Sequence, residues 1–337
     1  MGTQNILTRL IEGNHLSVDE SQKLMECIIV GYMTPVQIAS VLTALRMKGE
    51  SVDEIVGFIK ALRANMLEIK TTGVVIDTCG TGGDGKGTFN ISTASALVVA
   101  GAGVKVAKHG NRNASSLCGS ADVLEALGVN INLKPQQAQD LLANTNFTFL
   151  FAPLYHPAFK FVAPVRRELK IRTVFNFLGP FLNPAIVKRQ IIGVPNLTLA
   201  EKLARAAIHL NYDHLMIVSS FDGLDEISLS SPTYIFELKG SEIKKTILNP
   251  RDLGFVKISL DEIKGGDAKA NAQIIKRILD GEKSARKDIV LINAAAALFV
   301  AGKVSNISNG LELARESISS GKAKKVLQKL ISFDTQK

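Results

Sequence analysis

From residue 73 onward, short runs of β-branched and aromatic residues alternate with segments of helical periodicity. Strand candidates lie at 74–76, 104–107, 147–151, 190–194 and 214–218, and helical patterns lie between them at 92–101, 120–127, 136–144 and 199–210. Strands that alternate with helices form βαβ units, so the chain predicts a mostly parallel central sheet flanked by helices. Residues 233–238 and 242–248 predict a hairpin at one edge, and the C-terminal third returns to helical patterns.

The first 70 residues show only helical patterns. Ser17 with Glu20, and Ser51 with Glu54, have the spacing of capping boxes, and Thr34-Pro35 places a cap before a proline at the first helical position. The expected fold class is therefore α/β, with a small all-helical N-terminal domain over residues 1–70 and a large α/β domain over 71–337. The connection near residue 70 is short, so the two should pack tightly.

Composition excludes several classes of protein. Three cysteines and five histidines without paired spacing argue against a disulfide framework or a zinc site, and favour a reducing, cytoplasmic location. No signal pattern opens the chain, and no uninterrupted apolar stretch reaches the ~20 residues of a membrane span. The net charge of +9 leaves nucleic acid and small anionic substrates open as partners.

The glycine-rich segment 77–88 connects the first strand candidate to a helix. Five glycines among eight residues allow close approach of a ligand to the backbone, and free N–H groups at such a junction bind phosphate. The spacing is neither that of a P-loop nor a clean dinucleotide motif. A ligand-free turn is the alternative; we favour a phosphate or pyrophosphate site.

Two further segments follow strand candidates at the edge where parallel strands end. Residues 108–116 carry Lys108, His109, Arg112 and several amides and hydroxyls, which are donors for phosphate oxygens. Residues 222–226 carry adjacent carboxylates, which are ligands for Mg²⁺ beside a substrate phosphate. Each segment alone would be a solvated loop; together they indicate an anion site with a metal.

The segment 155–168 contains two further candidate residues. Arg166 has the side chain that pairs with a carboxylate in bidentate fashion, while His156 is more often a packed or capping residue than a catalyst.

These motifs, in this order, resemble those of the anthranilate phosphoribosyltransferase family, within the nucleoside phosphorylase-like class of phosphoribosyltransferases. The resemblance extends from the helical N-terminus to about residue 330. It rests on Gly80-Thr81-Gly82-Gly83-Asp84, Asn90-Ile91-Ser92-Thr93, Lys108-His109-Gly110-Asn111-Arg112, Gly119-Ser120-Ala121-Asp122, Arg172-Thr173-Val174-Phe175-Asn176, Asn183-Pro184-Ala185 and Asp222-Gly223-Leu224-Asp225-Glu226.

The resemblance implies transfer of a phosphoribosyl group from phosphoribosyl pyrophosphate to the amine of anthranilate, a step of tryptophan biosynthesis. It implies two Mg²⁺ ions, a homodimer formed through the helical domain, and a segment near 165–190 that joins that domain. It assigns anthranilate binding to Gly80, Asn111, His156 and Arg166, and metal binding to Ser92, Asp225 and Glu226. Contacts to phosphoribosyl pyrophosphate are assigned to Gly80, Gly83, Asp84, Thr88, Asn90, Ile91, Ser92, Thr93, Lys108, His109, Gly110, Asn111, Arg112, Asn113, Ala114, Ser115, Ser116 and Ser120.

No side chain is expected to act as a nucleophile or strong base, because an aromatic amine is already neutral at pH 7; His109 as a proton acceptor is the weaker option. The chain departs from the family at Ser219-Ser220-Phe221, where His-Gly is usual, at Leu117-Cys118 and at Lys170. A pyrimidine nucleoside phosphorylase is disfavoured because the first loop lacks the Lys-x-Ser-Thr-Gly-Gly pattern. A non-catalytic, nucleic-acid-binding relative is the alternative that the basic charge keeps open.

Overall fold

Four helices form the N-terminal part of the chain, in a computed structural model that describes residues 3–112 and 117–333. They are α1 (Thr3–Ile11), α2 (Val18–Ile29), α3 (Pro35–Lys48) and α4 (Val52–Ala64). The predicted caps are confirmed: Ser17, Thr34 and Ser51 each accept a hydrogen bond from the backbone N–H three residues on.

The chain then forms one seven-stranded sheet, whose strand order is β3-β2-β1-β4-β5-β6-β7. Strands β1 to β5 are parallel, and β6 and β7 form the antiparallel hairpin at one edge, as the sequence predicts. The bounds are β1 (Val75–Gly80), β2 (Lys105–Gly110), β3 (Phe147–Phe151), β4 (Arg189–Gly193), β5 (His214–Ser220), β6 (Thr233–Lys239) and β7 (Glu242–Leu248).

Helices cover both faces of the sheet. Those between strands are α5 (Ile91–Gly101), α6 (Ser120–Ala126), α7 (Pro135–Thr145), α8 (Ala152–Tyr155), α9 (Ala163–Leu169) and α10 (Leu197–Ala207). The C-terminal helices are α11 (Ala268–Leu279), α12 (Ala285–Val300), α13 (Ile307–Ser319) and α14 (Lys322–Ile331). This α/β architecture confirms the expected fold class.

Alternation along the strands divides the apolar side chains between two cores. In β5, Met216 and Val218 pack with α5 and the C-terminal helices, whereas Leu215 and Ile217 point to the opposite face. There they share a core with α1 to α4, with α10 and with buried residues between 162 and 182. The N-terminal helices are thus packed on one face of the same sheet that carries the glycine-rich loop at its edge.

Candidate active site

The carboxyl ends of β1, β2, β4 and β5 bring the predicted loops to one edge of the sheet. Two glycines that end strands allow the 222–226 turn to approach closely. A Cβ at Gly80 would lie 2.1 Å from Oδ2 of Asp225, and a Cβ at Gly193 would lie 1.6 Å from the Asp225 carbonyl oxygen. Gly80 is among the residues that the sequence indicates. Gly193 was missed, because only the pairing of β4 with β1 places it there.

The carboxylates of Asp84, Asp225 and Glu226 lie near enough to one another, beside the glycine-rich loop, for their charges to interact. Asp225 Oδ2 accepts a hydrogen bond from the Gly82 N–H at 2.7 Å. Burial raises the pKa of Asp225, and the neighbouring charge of Asp84 raises it further. Burial also raises the pKa of Glu226, as does the charge of Asp225. Oδ2 of Asp84 is buried without a hydrogen-bond partner. Burial and mutual repulsion therefore disfavour the charged forms of Asp225 and Glu226 in the protein alone.

Lys108 and Ser92 complete this cluster from the strand and helix beside it. The Lys108 ammonium is buried and donates to the Thr78 carbonyl at 2.6 Å and to Oγ of Ser92 at 3.1 Å. The positive charge of Lys108, and to a smaller extent hydrogen bonding from the Ser92 backbone, lower the pKa of Glu226 and offset part of its rise. The predicted metal ligands Ser92, Asp225 and Glu226 are thus brought together.

A divalent cation fits this donor set. Within residues 3–112 and 117–333, no three His, Cys, Asp or Glu side chains form a metal site by themselves. Mg²⁺ prefers oxygen ligands such as these carboxylates and this hydroxyl, and Oδ2 of Asp84 has no hydrogen-bond partner in the protein. The ion commonly completes its coordination shell with water and substrate phosphate oxygens. Asp225, Glu226, Ser92 and Asp84 are the residues that could hold it.

The glycine-rich loop adopts the backbone that its composition predicts. Gly82, Gly83, Gly85 and Gly87 all have positive φ, between 64° and 74°, in the region that favours glycine. The loop leads to Asn90, which caps the start of α5 by position and whose amide donates to the Cys118 carbonyl at 3.1 Å. Thr88 pairs with the backbone at Lys264. The buried Ile91 and Thr93 begin α5.

A line of aromatic rings runs from this edge toward Arg166. His109 and His156 face each other with their Nε2 atoms 3.1 Å apart, and His109 Nδ1 lies 3.2 Å from the Gly179 carbonyl. The ring of Phe159 lies 5.5 Å from His156 and 5.6 Å from Phe175. The guanidinium of the half-buried Arg166 lies over Phe175 at 5.5 Å. These four rings and the Arg166 guanidinium form one surface, the aromatic wall, which combines apolar area with a cation.

Burial sets the charge of this wall. It lowers the pKa of His109 to about 3 and that of His156 to about 4, so both rings are neutral at pH 7. A group with such a low pKa is a weak base, which disfavours His109 as a proton acceptor.

The second predicted loop is only partly described. Arg112 donates to Glu125 at 2.9 Å and to Asp122 at 3.1 Å, so its guanidinium is held by α6 in this structure. The carbonyl oxygen of Asn111 lies 3.4 Å from Ser120 Oγ, and Gly110 lies against the same hydroxyl. Asn113, Ala114, Ser115 and Ser116 lie outside the described residues.

Sequence reasoning missed a buried polar network under the site. Asp77 is fully buried and accepts hydrogen bonds from Asn183 at 2.8 Å and from Gln190 at 3.2 Å. Gln190 in turn accepts from Tyr212 at 2.9 Å. It also missed a role for Arg172, which contacts the glycine-rich loop. These contacts join residues far apart in the sequence, so no local spacing pattern predicts them.

Among the described helices, none combines the length and apolar composition needed to cross a bilayer.

Known proteins resemble the chain over nearly its whole length. Two family models match: the helical bundle domain of a glycosyl transferase family over residues 4–66, and the α/β domain of that family over residues 72–324. The anthranilate phosphoribosyltransferase of Dehalococcoides mccartyi strain CBDB1 is 49% identical over 326 residues, covering 96% of each chain. That of Thermomicrobium roseum is 48% identical and covers 97% of this chain and 95% of its own.

Solved structures agree with this. The crystal structure of anthranilate phosphoribosyltransferase from Thermus thermophilus has a TM-score of 0.91 at 38% identity, covering 97% of this chain and 98% of its own. The enzyme from Saccharomyces cerevisiae, in complex with PRPP (phosphoribosyl pyrophosphate) and Mg, has a TM-score of 0.89 at 29% identity. The match covers 98% of this chain and 96% of the yeast chain.

Proposed function

The chain belongs to the anthranilate phosphoribosyltransferase family, and we propose from that premise how its residues divide the work of the reaction. The enzyme transfers the phosphoribosyl group of phosphoribosyl pyrophosphate to the amine of anthranilate, in tryptophan biosynthesis. A bond forms between the amine nitrogen and C1 of the ribose, the bond from C1 to pyrophosphate oxygen breaks, and pyrophosphate leaves with the electron pair. The amine nitrogen then loses one proton to solvent.

Phosphoribosyl pyrophosphate, the donor of the phosphoribosyl group, binds at the glycine-rich loop. The exposed Gly83, Gly85 and Gly87 present backbone N–H groups, and α5 begins directly after the loop, so the loop and helix N-terminus together attract the pyrophosphate. Asn90, Thr88 and Ser120 add polar groups at the same edge. The remaining donor contacts assigned from the resemblance, which stay part of this proposal, are Gly80, Gly83, Asp84, Ile91, Ser92, Thr93, Lys108, His109, Gly110, Asn111 and Arg112.

Mg²⁺ is the cofactor, as the yeast relative's complex with PRPP and Mg supports. We assign it to Asp225, Glu226 and Ser92, with Asp84 facing the same space, and propose that two ions bind. When bound, Mg²⁺ neutralises charge on the departing pyrophosphate. The chain's own part is to hold the ligand side chains in place: the Gly82 N–H donates to the Asp225 carboxylate, and the Lys108 ammonium donates to the Ser92 hydroxyl.

The acceptor binds along the aromatic wall. Arg166 supplies the cation for the anthranilate carboxylate, and the rings of Phe159 and Phe175 supply apolar surface for its benzene ring. His156 and Asn111 line the approach. Since the aromatic amine is neutral at pH 7, positioning it against C1 supplies most of the acceleration without a protein base. A relative from yeast was solved in complex with 4-fluoroanthranilate, which supports an acceptor of this class.

The observation that carries this assignment is the meeting of Asp225, Glu226 and Ser92 beside the glycine-rich loop. The test follows anthranilate fluorescence with phosphoribosyl pyrophosphate and Mg²⁺. The wild type should consume the signal, and an Asp225→Asn, Glu226→Gln double variant should lose at least about a hundredfold in rate. A double variant with unchanged turnover and metal dependence would refute the metal assignment.

The outer face of α3 is the surface that we propose for a homodimer. Val36 and Met47 lie three helical turns apart on one side of this helix and are 75% and 84% exposed, and Tyr32, three residues before the helix begins, is 84% exposed. We also propose the division of the chain near residue 70, the association of the segment near 165–190 with the helical domain, and a cytoplasmic location.

Light scattering of Val36→Asp, Met47→Glu protein tests the dimer. The double variant should have half the wild-type mass, while Val256→Asp, a change at an 82% exposed valine outside the helical domain, should not change it. A monomeric wild type, or a variant that retains the dimer mass, would contradict the proposed face.

A further inference from the structure

The glycine-rich loop is fixed at both ends by backbone hydrogen bonds, and its middle is exposed at the surface. At its start, the Thr81 N–H donates to the Gly193 carbonyl at 2.8 Å, and at its end the Gly87 carbonyl accepts from the Gly265 N–H at 2.9 Å. Between these anchors lie the exposed residues Gly82 and Gly83, with φ of 73° and 74°. Glycines have the greatest conformational freedom of any residue, so this turn needs outside contacts to stay in one arrangement.

Arg172 supplies two of those contacts. Its Nη2 donates to the Gly82 carbonyl and its Nη1 to the Gly83 carbonyl, both at 3.1 Å. From the opposite side, Asp225 accepts from the Gly82 N–H at 2.7 Å. The turn is therefore held from two sides: the Arg172 guanidinium donates to its carbonyl oxygens, and the Asp225 carboxylate accepts from its N–H.

Glycine at position 83 leaves room for the Arg172 guanidinium. A Cβ there would lie 1.4 Å from Arg172 Nη1 and 2.5 Å from its Cζ, so any side chain would displace the guanidinium. Gly83 thus serves this contact as well as its positive φ.

The arginine also joins the two halves of the site. It follows α9 by three residues, and α9 carries Arg166 on the aromatic wall. The short link between them contains Lys170, which has a left-handed backbone with φ of 52°. The same segment therefore contacts the acceptor wall with one arginine and the donor loop with the other.

We propose that Arg172 is a positioning residue that latches the glycine-rich loop in its donor-binding arrangement. The proposal rests on the proposed function, because it takes this loop as the donor site. Both nitrogens that contact the loop donate to the backbone, so the latch sets the shape of the loop. It is expected to govern affinity for the donor more than for the acceptor.

Three variants test the latch: Arg172→Ala, Arg172→Lys, and Arg167→Ala as a matched control at an exposed arginine of α9. Hydrogen exchange of the backbone over residues 82–86, measured without substrates, needs no enzymatic activity. Arg172→Ala should exchange faster there than wild type, Arg172→Lys should be intermediate because one ammonium replaces two guanidinium donors, and Arg167→Ala should match wild type. Unchanged exchange in Arg172→Ala would overturn the proposal.

Steady-state kinetics supply the second readout. Arg172→Ala should raise the KM for phosphoribosyl pyrophosphate about tenfold, the size expected for about 1.4 kcal/mol, while the KM for anthranilate changes less than about threefold. Equal rises in both KM values would overturn the latch in favour of a general loss of structure. An inactive wild type would count against the proposed function alone, because the exchange measurement would still decide whether Arg172 holds the loop.

Discussion

The crowding of negative charge around Glu226 predicts that removing this carboxylate stabilises the chain when no metal is present. Burial and the neighbouring Asp225 raise the pKa of Glu226, and Lys108 offsets this only in part. A glutamine in its place keeps an oxygen that can accept from the Ser92 backbone but carries no charge. We therefore expect Glu226→Gln to lose activity and gain stability.

The sign depends on pH. The folded chain binds the Glu226 proton more tightly than the unfolded chain, whose pKa is near the usual 4.5. The free energy of unfolding of the wild type is therefore not reduced by Glu226 below pH 4.5. It falls as the pH rises from 4.5 through the raised pKa of the folded state. Each unit by which the folded pKa of Glu226 exceeds 4.5 corresponds to about 1.4 kcal/mol, and the rise is larger than one unit, so the variant should gain at least about 2 kcal/mol at pH 8.5. In a chain of 337 residues this amounts to about 3 °C in Tm.

Thermal unfolding in EDTA, at pH 8.5 and at pH 5, measures this directly. Glu226→Gln should unfold at higher temperature than wild type at pH 8.5, and the gap should narrow at pH 5. Glu68→Gln, a change at an exposed carboxylate, is the matched control and should not alter Tm. A Glu226→Gln protein that is less stable than wild type at pH 8.5, or equally stabilised at both pH values, would refute the reasoning.

Three further predictions follow from the site and the network beneath it. Arg166→Ala should raise the KM for anthranilate about tenfold and the KM for the donor much less, since only the carboxylate partner is lost; steady-state kinetics would show equal effects if the assignment were wrong. Because burial keeps the pKa of His109 at about 3 and of His156 at about 4, both rings are neutral above those values, and NMR titration from about pH 5 to 8 should show no histidine transition for either. Asn183→Ala should cost about 2 kcal/mol in urea unfolding, because it removes a hydrogen bond to the buried Asp77, and a loss below about 0.5 kcal/mol would contradict that role.

Features set by neighbouring residues could be predicted from the sequence. The capping boxes at Ser17 and Ser51 are confirmed because their partners lie three residues away. The parallel sheet and its edge hairpin are confirmed because apolar runs and their spacing determine strands locally. The convergence of Asp225 and Glu226 on the glycine-rich loop followed from the rule that parallel strands end at one edge.

Features set by tertiary approach could not be predicted in this way. Arg172 lies 89 residues from Gly83, and Asn183 lies 106 residues from Asp77. Neither pair has a local spacing that would reveal it. Arg112 shows the converse: its position in a basic loop indicated an anion contact, yet in the structure its guanidinium is bound to Glu125 on the following helix.

The stoichiometry of the reaction tests the central claim most directly. With phosphoribosyl pyrophosphate, Mg²⁺ and anthranilate, the purified chain should release one pyrophosphate for each anthranilate consumed, and no pyrophosphate should appear at a comparable rate when anthranilate is omitted. Anthranilate fluorescence that stays constant under these conditions, or pyrophosphate release that does not depend on anthranilate, would contradict the account.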